Sequence, residues 1–243
     1  MALIKIVSVS CDLVTREDTS PLLTEEERAV LEAVALRHRD LVAYQNASAC
    51  SIGRVMNLLR GMDCVEGSPD IFHFMGHGLQ KLAQPNPRFG DVHLPLRLGT
   101  LDVFRGGLTQ EIFEYEPLVS VFRDVTLKDK CRIILLQACS VYAFAERLAE
   151  SCPNAIVIGW ATQVLNDLCG PFTSIFYSQL FELYRARAQN LYAVDVFKAF
   201  LLSCAELMVR RWGAAHQGHC ALTTLRAPVP SAHSSPHTAP CLF

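Results

Sequence analysis

The chain has 243 residues, 51 % of them apolar, with 22 Lys and Arg against 24 Asp and Glu for a formal net charge of −2. That length and apolar share suit one domain with a substantial core. The near-neutral balance and the lack of any basic run argue against a nucleic-acid or anionic-membrane surface, and no stretch reaches the roughly 18 consecutive apolar residues of a membrane span.

Residues 1–10 show no basic start followed by a long apolar core and a cleavage site, so the expectation is an intracellular, cytoplasmic protein. The cysteines at 11, 50, 64, 131, 139, 152, 169, 204, 220 and 241 never fall as Cys-x-x-Cys, which predicts reduced, mostly buried thiols. In chain order, residues 3–10 carry Ile and Val and predict a first strand. Thr24 with Glu27 three residues on has the spacing of a capping box and predicts a helix to residue 36. Residues 41–44 predict a second strand, and Ser48 a cap for a helix whose apolar positions Ile52, Val55, Met56 and Leu59 keep a 3.6 period, with Gly61 ending it. Residues 71–75, apolar but for His73, predict a third strand that breaks at Gly76-His77-Gly78. Strand and helix alternating with short loops predict an α/β fold with a parallel sheet covered on both faces.

From 79 to 129 Pro and Gly interrupt the pattern. A small antiparallel ribbon around residues 92–94 and 101–104 is expected, then a short helix beginning near Thr109, while residues 119–125 fit no single state. Residues 133–137 predict a fourth strand, 141–151 a helix, and 155–158 a fifth strand leading to Gly159-Trp160. Gly170-Pro171 precedes a strongly apolar helix over 172–184. An amphipathic helix follows over 193–211, and residues 220–225 fit a last edge strand. Residues 1–226 are thus expected to form the domain, and 227–243, rich in Pro, Ser, His and Ala, a flexible tail.

Two of these strands end on chemistry. The strand at 71–75 runs into His77 and the strand at 133–137 into Cys139. In an open parallel sheet the carboxyl ends open onto one crevice, so neighbouring strands bring such side chains together. A cysteine needs a lowered pKa or a base in reach to act as a nucleophile, and an imidazole supplies that base. The backbone N–H groups of Gly78 and Cys139 are candidates for the oxyanion hole. His73, inside the strand, reads instead as a hydrogen-bonded core residue. No glycine-rich phosphate loop is present, and His216, His219 and Cys220 lack a fourth ligand at metal spacing. No cofactor and no metal are therefore expected.

The runs Phe72-His-Phe-Met-Gly-His77-Gly and Leu135-Leu-Gln-Ala-Cys139-Ser resemble the caspase-like cysteine peptidases, and more closely their CHAT branch with its metacaspase and separase relatives than the animal caspases. Val157-Ile-Gly-Trp160 and Gly170-Pro-Phe-Thr173 are similar to strand-end and helix-start patterns of the same groups, in the same order. The resemblance spans residues 4–207. It implies a three-layer sandwich with a mostly parallel sheet of about six strands and helices on both faces, a His77–Cys139 dyad, and cleavage of protein substrates under a regulatory protein partner. It also places Trp160 and Asp167 on the substrate-binding side, with Asp167 pairing a basic residue before the scissile bond. The basic pocket of animal caspases has no counterpart, since no Arg or Lys lies between Trp160 and Leu180. A catalytically silent interaction or adaptor domain of the same fold is the alternative.

Overall fold

The computed structural model describes residues 3–11, 24–48, 50–64, 67–76, 99–102, 107–110, 116–138, 141–160, 166–187, 190–212 and 222–225. Strands β1 (Ile4–Cys11), β2 (Val42–Ser48), β3 (Ile71–Gly76), β6 (Ile133–Gln137), β7 (Ile156–Trp160) and β8 (Leu222–Leu225) form one six-stranded sheet in the order β2-β1-β3-β6-β7-β8, while β4 (Gly99–Asp102) and β5 (Gly107–Gln110) pair separately. The first five strands of the large sheet are parallel and β8 closes its edge antiparallel to β7. Among the described residues the chain between them forms six helices: α1 (Thr24–Arg37), α2 (Ile52–Arg60), α3 (Glu116–Thr126), α4 (Tyr142–Ser151), α5 (Asn166–Ala186) and α6 (Ala193–Trp212).

The central strands are buried on both faces, which is why they read as near-continuous apolar runs. Their period of two still sorts the side chains. Val7, Val9, Phe72, Phe74, Ile134, Leu136 and Val157 face α2, α3 and α4 in one core. Ile4, Ile6, Ile71, Ile133, Leu135, Ile156 and Ile158 face α1, α5 and α6 in the other. The result is the three-layer sandwich with a mostly parallel sheet.

Strand order explains which helix takes which face. From β1 the chain steps outward to β2 through α1, then reverses past β1 to β3 through α2 and continues the same way to β6 and β7. Right-handed crossovers put helices on opposite faces when the direction of travel reverses. The reversal therefore lies between β1 and β3, where an open sheet of this kind leaves its crevice.

Several local readings are corrected. Ser51, not Ser48, caps α2 by accepting from the Arg54 N–H at 3.2 Å, because β2 extends through Ser48. The ribbon strands are 99–102 and 107–110, so no helix starts near Thr109, and residues 92–94 lie outside the described set. Residues 116–126 form α3, whose Leu118, Val121, Phe122 and Val125 fall on one buried face. α5 begins at Asn166 and takes Pro171 into its second turn rather than starting after it. The proline removes one N–H near the helix start, and the residue whose carbonyl loses that partner, Asp167, is exposed.

Candidate active site

Parallel pairing of β1, β3, β6 and β7 brings their carboxyl ends to one rim. Within it β3 and β6 are hydrogen-bonded neighbours in a register that sets Met75 opposite Gln137. His77 and Cys139 each follow that paired position by two residues; both, with Gly78, lie outside the described residues. Gly76 ends β3 beside Cys11, and a Cβ there would stand 2.8 Å from the Cys11 carbonyl oxygen and 2.8 Å from the Phe74 ring. The first glycine of Gly-His-Gly thus lets β1 and β3 close up at the rim.

The face of the rim beneath α1 and α5 is polar, unlike the rest of that core. Trp160 is buried, at 2 % exposure, with its ring edge-on to Phe172. Its indole N–H donates to Gln137 Oε1. That fixes the amide of Gln137, whose Nε2 then donates to Thr173 Oγ1 at 3.4 Å, and the Thr173 hydroxyl donates to Glu27 Oε1 at 2.7 Å. The same Glu27 oxygen lies 3.2 Å from His73 Nε2, an ion-pair distance without hydrogen-bond alignment. On its other side His73 Nδ1 meets the Tyr177 hydroxyl at 3.2 Å. Burial pushes the Tyr177 phenol well up, so it keeps its proton and can give it to Nδ1.

At the β1–β2 end the layer continues. Ser8 donates to Asn46 Oδ1 at 2.8 Å and lies 2.9 Å from the Tyr44 hydroxyl. Burial raises the Tyr44 pKa, so this phenol also remains a donor. His73 is the hydrogen-bonded core residue its strand position predicts.

Of the expected substrate-side residues, Trp160 is turned into the core and braces Gln137. Asp167 is exposed in the first turn of α5. Burial pushes the thiols of Cys50, Cys64, Cys131, Cys152 and Cys204 up, Cys152 and Cys204 both to about 11, so these side chains are protonated and unreactive at neutral pH. Among the described residues no three His, Cys, Asp or Glu side chains gather as metal ligands, and no helix is long and apolar enough to cross a membrane. His216, His219 and Cys220 are outside that set.

Sequence reasoning passed over Glu27, Gln137, Thr173 and Tyr177 as functional candidates. The usable signal was the period of two: Ser8, Ser10, His73 and Gln137 occupy the α1–α5 face of strands whose other positions there are apolar. Compared with known family models and with curated proteins, the chain matches none.

Proposed function

We propose that this chain is a caspase-like cysteine endopeptidase of CHAT type, acting through His77 and Cys139. The observation that carries the reading is the β3–β6 pairing: adjacent parallel strands, in register at Met75 and Gln137, lead out of the same sheet edge into the two residues. In this mechanism His77 removes the Cys139 proton and the thiolate attacks the scissile carbonyl. The N–H groups of Gly78 and Cys139 hold the developing oxyanion. His77 returns the proton to the leaving amine, and water attacks the acyl-enzyme with His77 as base. Asp167, an exposed carboxylate beyond the end of β7, supplies charge pairing for Arg or Lys before the scissile bond. A protein substrate, a regulatory protein partner and a cytoplasmic setting belong to the same reading, with neither nucleic acid nor a membrane as partner and no cofactor.

The test is covalent labelling of the purified protein with a peptidyl acyloxymethyl ketone ending in Arg, read by mass spectrometry of the modified peptide. Labelling on Cys139, and its loss together with peptide cleavage in a folded Cys139→Ala variant, is the expected result. Undiminished cleavage in that variant overturns the mechanism and leaves the adaptor reading.

A further inference from the structure

Glu27 is 3 % exposed in the core between α1, α5 and the sheet, far from the solvated surface where a first-turn carboxylate usually rests. Desolvating a carboxylate is costly, and apolar replacements of buried ion pairs are often neutral or stabilising. Stability alone is therefore a poor reason for a charge at this place.

Its position suggests a different one. Oxygen Oε1 of Glu27 is where two arms of the polar layer meet. One arm is His73 in β3, four residues before His77. The other runs through Thr173 to Gln137 in β6, two residues before Cys139, and on to Trp160 at the end of β7. A single oxygen on α1 is thereby joined by hydrogen bonds to the ends of β6 and β7 and lies against the middle of β3, and β3 and β6 lead to the proposed dyad. The donors are all directed toward it: Trp160 N–H to Gln137, Gln137 amide to Thr173, Thr173 hydroxyl to Glu27. A directional chain of this kind has one satisfied arrangement, and it holds the ends of β6 and β7.

We infer that Glu27 is a positioning residue for the Cys139–His77 pair, setting the end of β6 through Thr173 and Gln137 and packing against β3 at His73. The inference rests on the cysteine-peptidase reading. Glu27 acts through other residues and touches neither substrate nor the reacting atoms.

The experiment uses the full chain and three proteins: wild type, Glu27→Gln and Thr173→Val. Each is assayed across a pH series for the rate at which the Arg-ended acyloxymethyl ketone alkylates Cys139, with the maximal rate separated from the apparent binding constant. Thermal melts give the folded fraction, and the ring nitrogen resonances of His73 report its tautomer. Gln at 27 replaces the carboxylate beside His73 with an amide, which should change the His73 ring nitrogen resonances. The maximal rate should fall about 100-fold, the scale of a small misplacement of reacting groups, with the binding constant little changed and the pH profile shifted. Thr173→Val cuts only the Gln137 arm and should lose about tenfold while leaving the His73 tautomer as it was.

A labelled wild type whose folded Glu27→Gln variant reacts at the same rate and with the same pH profile overturns the positioning role alone. So does a loss that disappears once rates are corrected for the unfolded fraction. A wild type that is not labelled on Cys139 overturns the peptidase reading, and the positioning role with it. Should Glu27→Gln fail to fold, Thr173→Val decides: an unchanged rate there removes the role, and a tenfold loss in the folded protein sustains it.

Discussion

His38, just past the last turn of α1, rests against the Phe181 ring with centroids 5.2 Å apart, and its Nδ1 is 3.9 Å from the nearest Glu182 oxygen. That gap is too long for a hydrogen bond, and Nδ1 has no other partner among the described residues. Burial therefore dominates and lowers the imidazole pKa below 6.5; Glu182 and Asp40 pull it back in part, while Arg185 and Arg37 push the same way as burial. The folded pKa is depressed, so as pH falls through the unfolded value the denatured chain takes up the proton first. The stability that neutral His38 contributes is present above pH 6.5 and is lost progressively below it, until the folded pKa is passed. Urea unfolding on both sides of that pH should show the wild type losing more stability on acidification than His38→Gln, in which nothing titrates at this site. Equal pH slopes for the two proteins would mean that His38 is free to protonate in the fold. The same environment acts oppositely on phenols and thiols, whose neutral forms burial also favours, and Tyr177 and Cys152 are accordingly shifted up.

At the scale of elements, α2 shows how short signals settle a boundary. Ser51 has extended backbone and accepts from Arg54, while Gly61 sits in the left-handed region at φ 77°. The Gly61 N–H bonds Leu58 O at 3.0 Å and the Met62 N–H bonds Asn57 O at 2.9 Å, the paired closure that satisfies the last carbonyls. A Cβ on Gly61 would lie 2.3 Å from the Ser68 backbone nitrogen, so neither the torsion nor the space admits alanine. Gly61→Ala should lower the unfolding free energy by about 2 kcal/mol or more, from the left-handed penalty of about 1–2 kcal/mol plus displacement of the turn at 67–68. The check is the urea midpoint with an unchanged slope. Where such signals were plain, in this helix and in β1, β3, β6 and β7, the elements were legible from the residues. Ser48 misled because a serine before an apolar run reads as a cap even when the preceding strand absorbs it. Gly170-Pro171 misled because proline breaks a helix interior but is tolerated close to its start. Thr24 and Glu27 have capping-box spacing, yet helix α1 already includes Thr24, and the Glu27 carboxylate is taken up by Thr173, 146 residues away.

The whole molecule explains why the architecture was readable and the polar layer was not. Alternation within each strand and the order of strands and helices are local or nearly local properties, and they suffice to put apolar helices on both faces of a parallel sheet. The chain Trp160–Gln137–Thr173–Glu27–His73–Tyr177 joins five elements that only tertiary packing assembles, so no window of sequence contains it. His77 and Cys139 lie outside the described residues, while the register of the strands that precede them follows from the pairing of β3 with β6. One sheet also makes the two cores interdependent: Phe72 and Ile71, consecutive in β3, face different helical layers. Leu58 of α2 and Leu180 of α5 are fully buried, one in each layer. Leu58→Ala and Leu180→Ala should each lower stability by about 3 kcal/mol, the scale of a large-to-small change in a packed core. Losing either layer exposes a face of the same strands, so each variant should unfold in a single transition that coincides by far-ultraviolet circular dichroism and by tryptophan fluorescence. If Leu58→Ala instead splits the curve, with Trp160 in the α5 layer reporting a later transition than the backbone, the two layers fold as separate units and the sheet does not couple them.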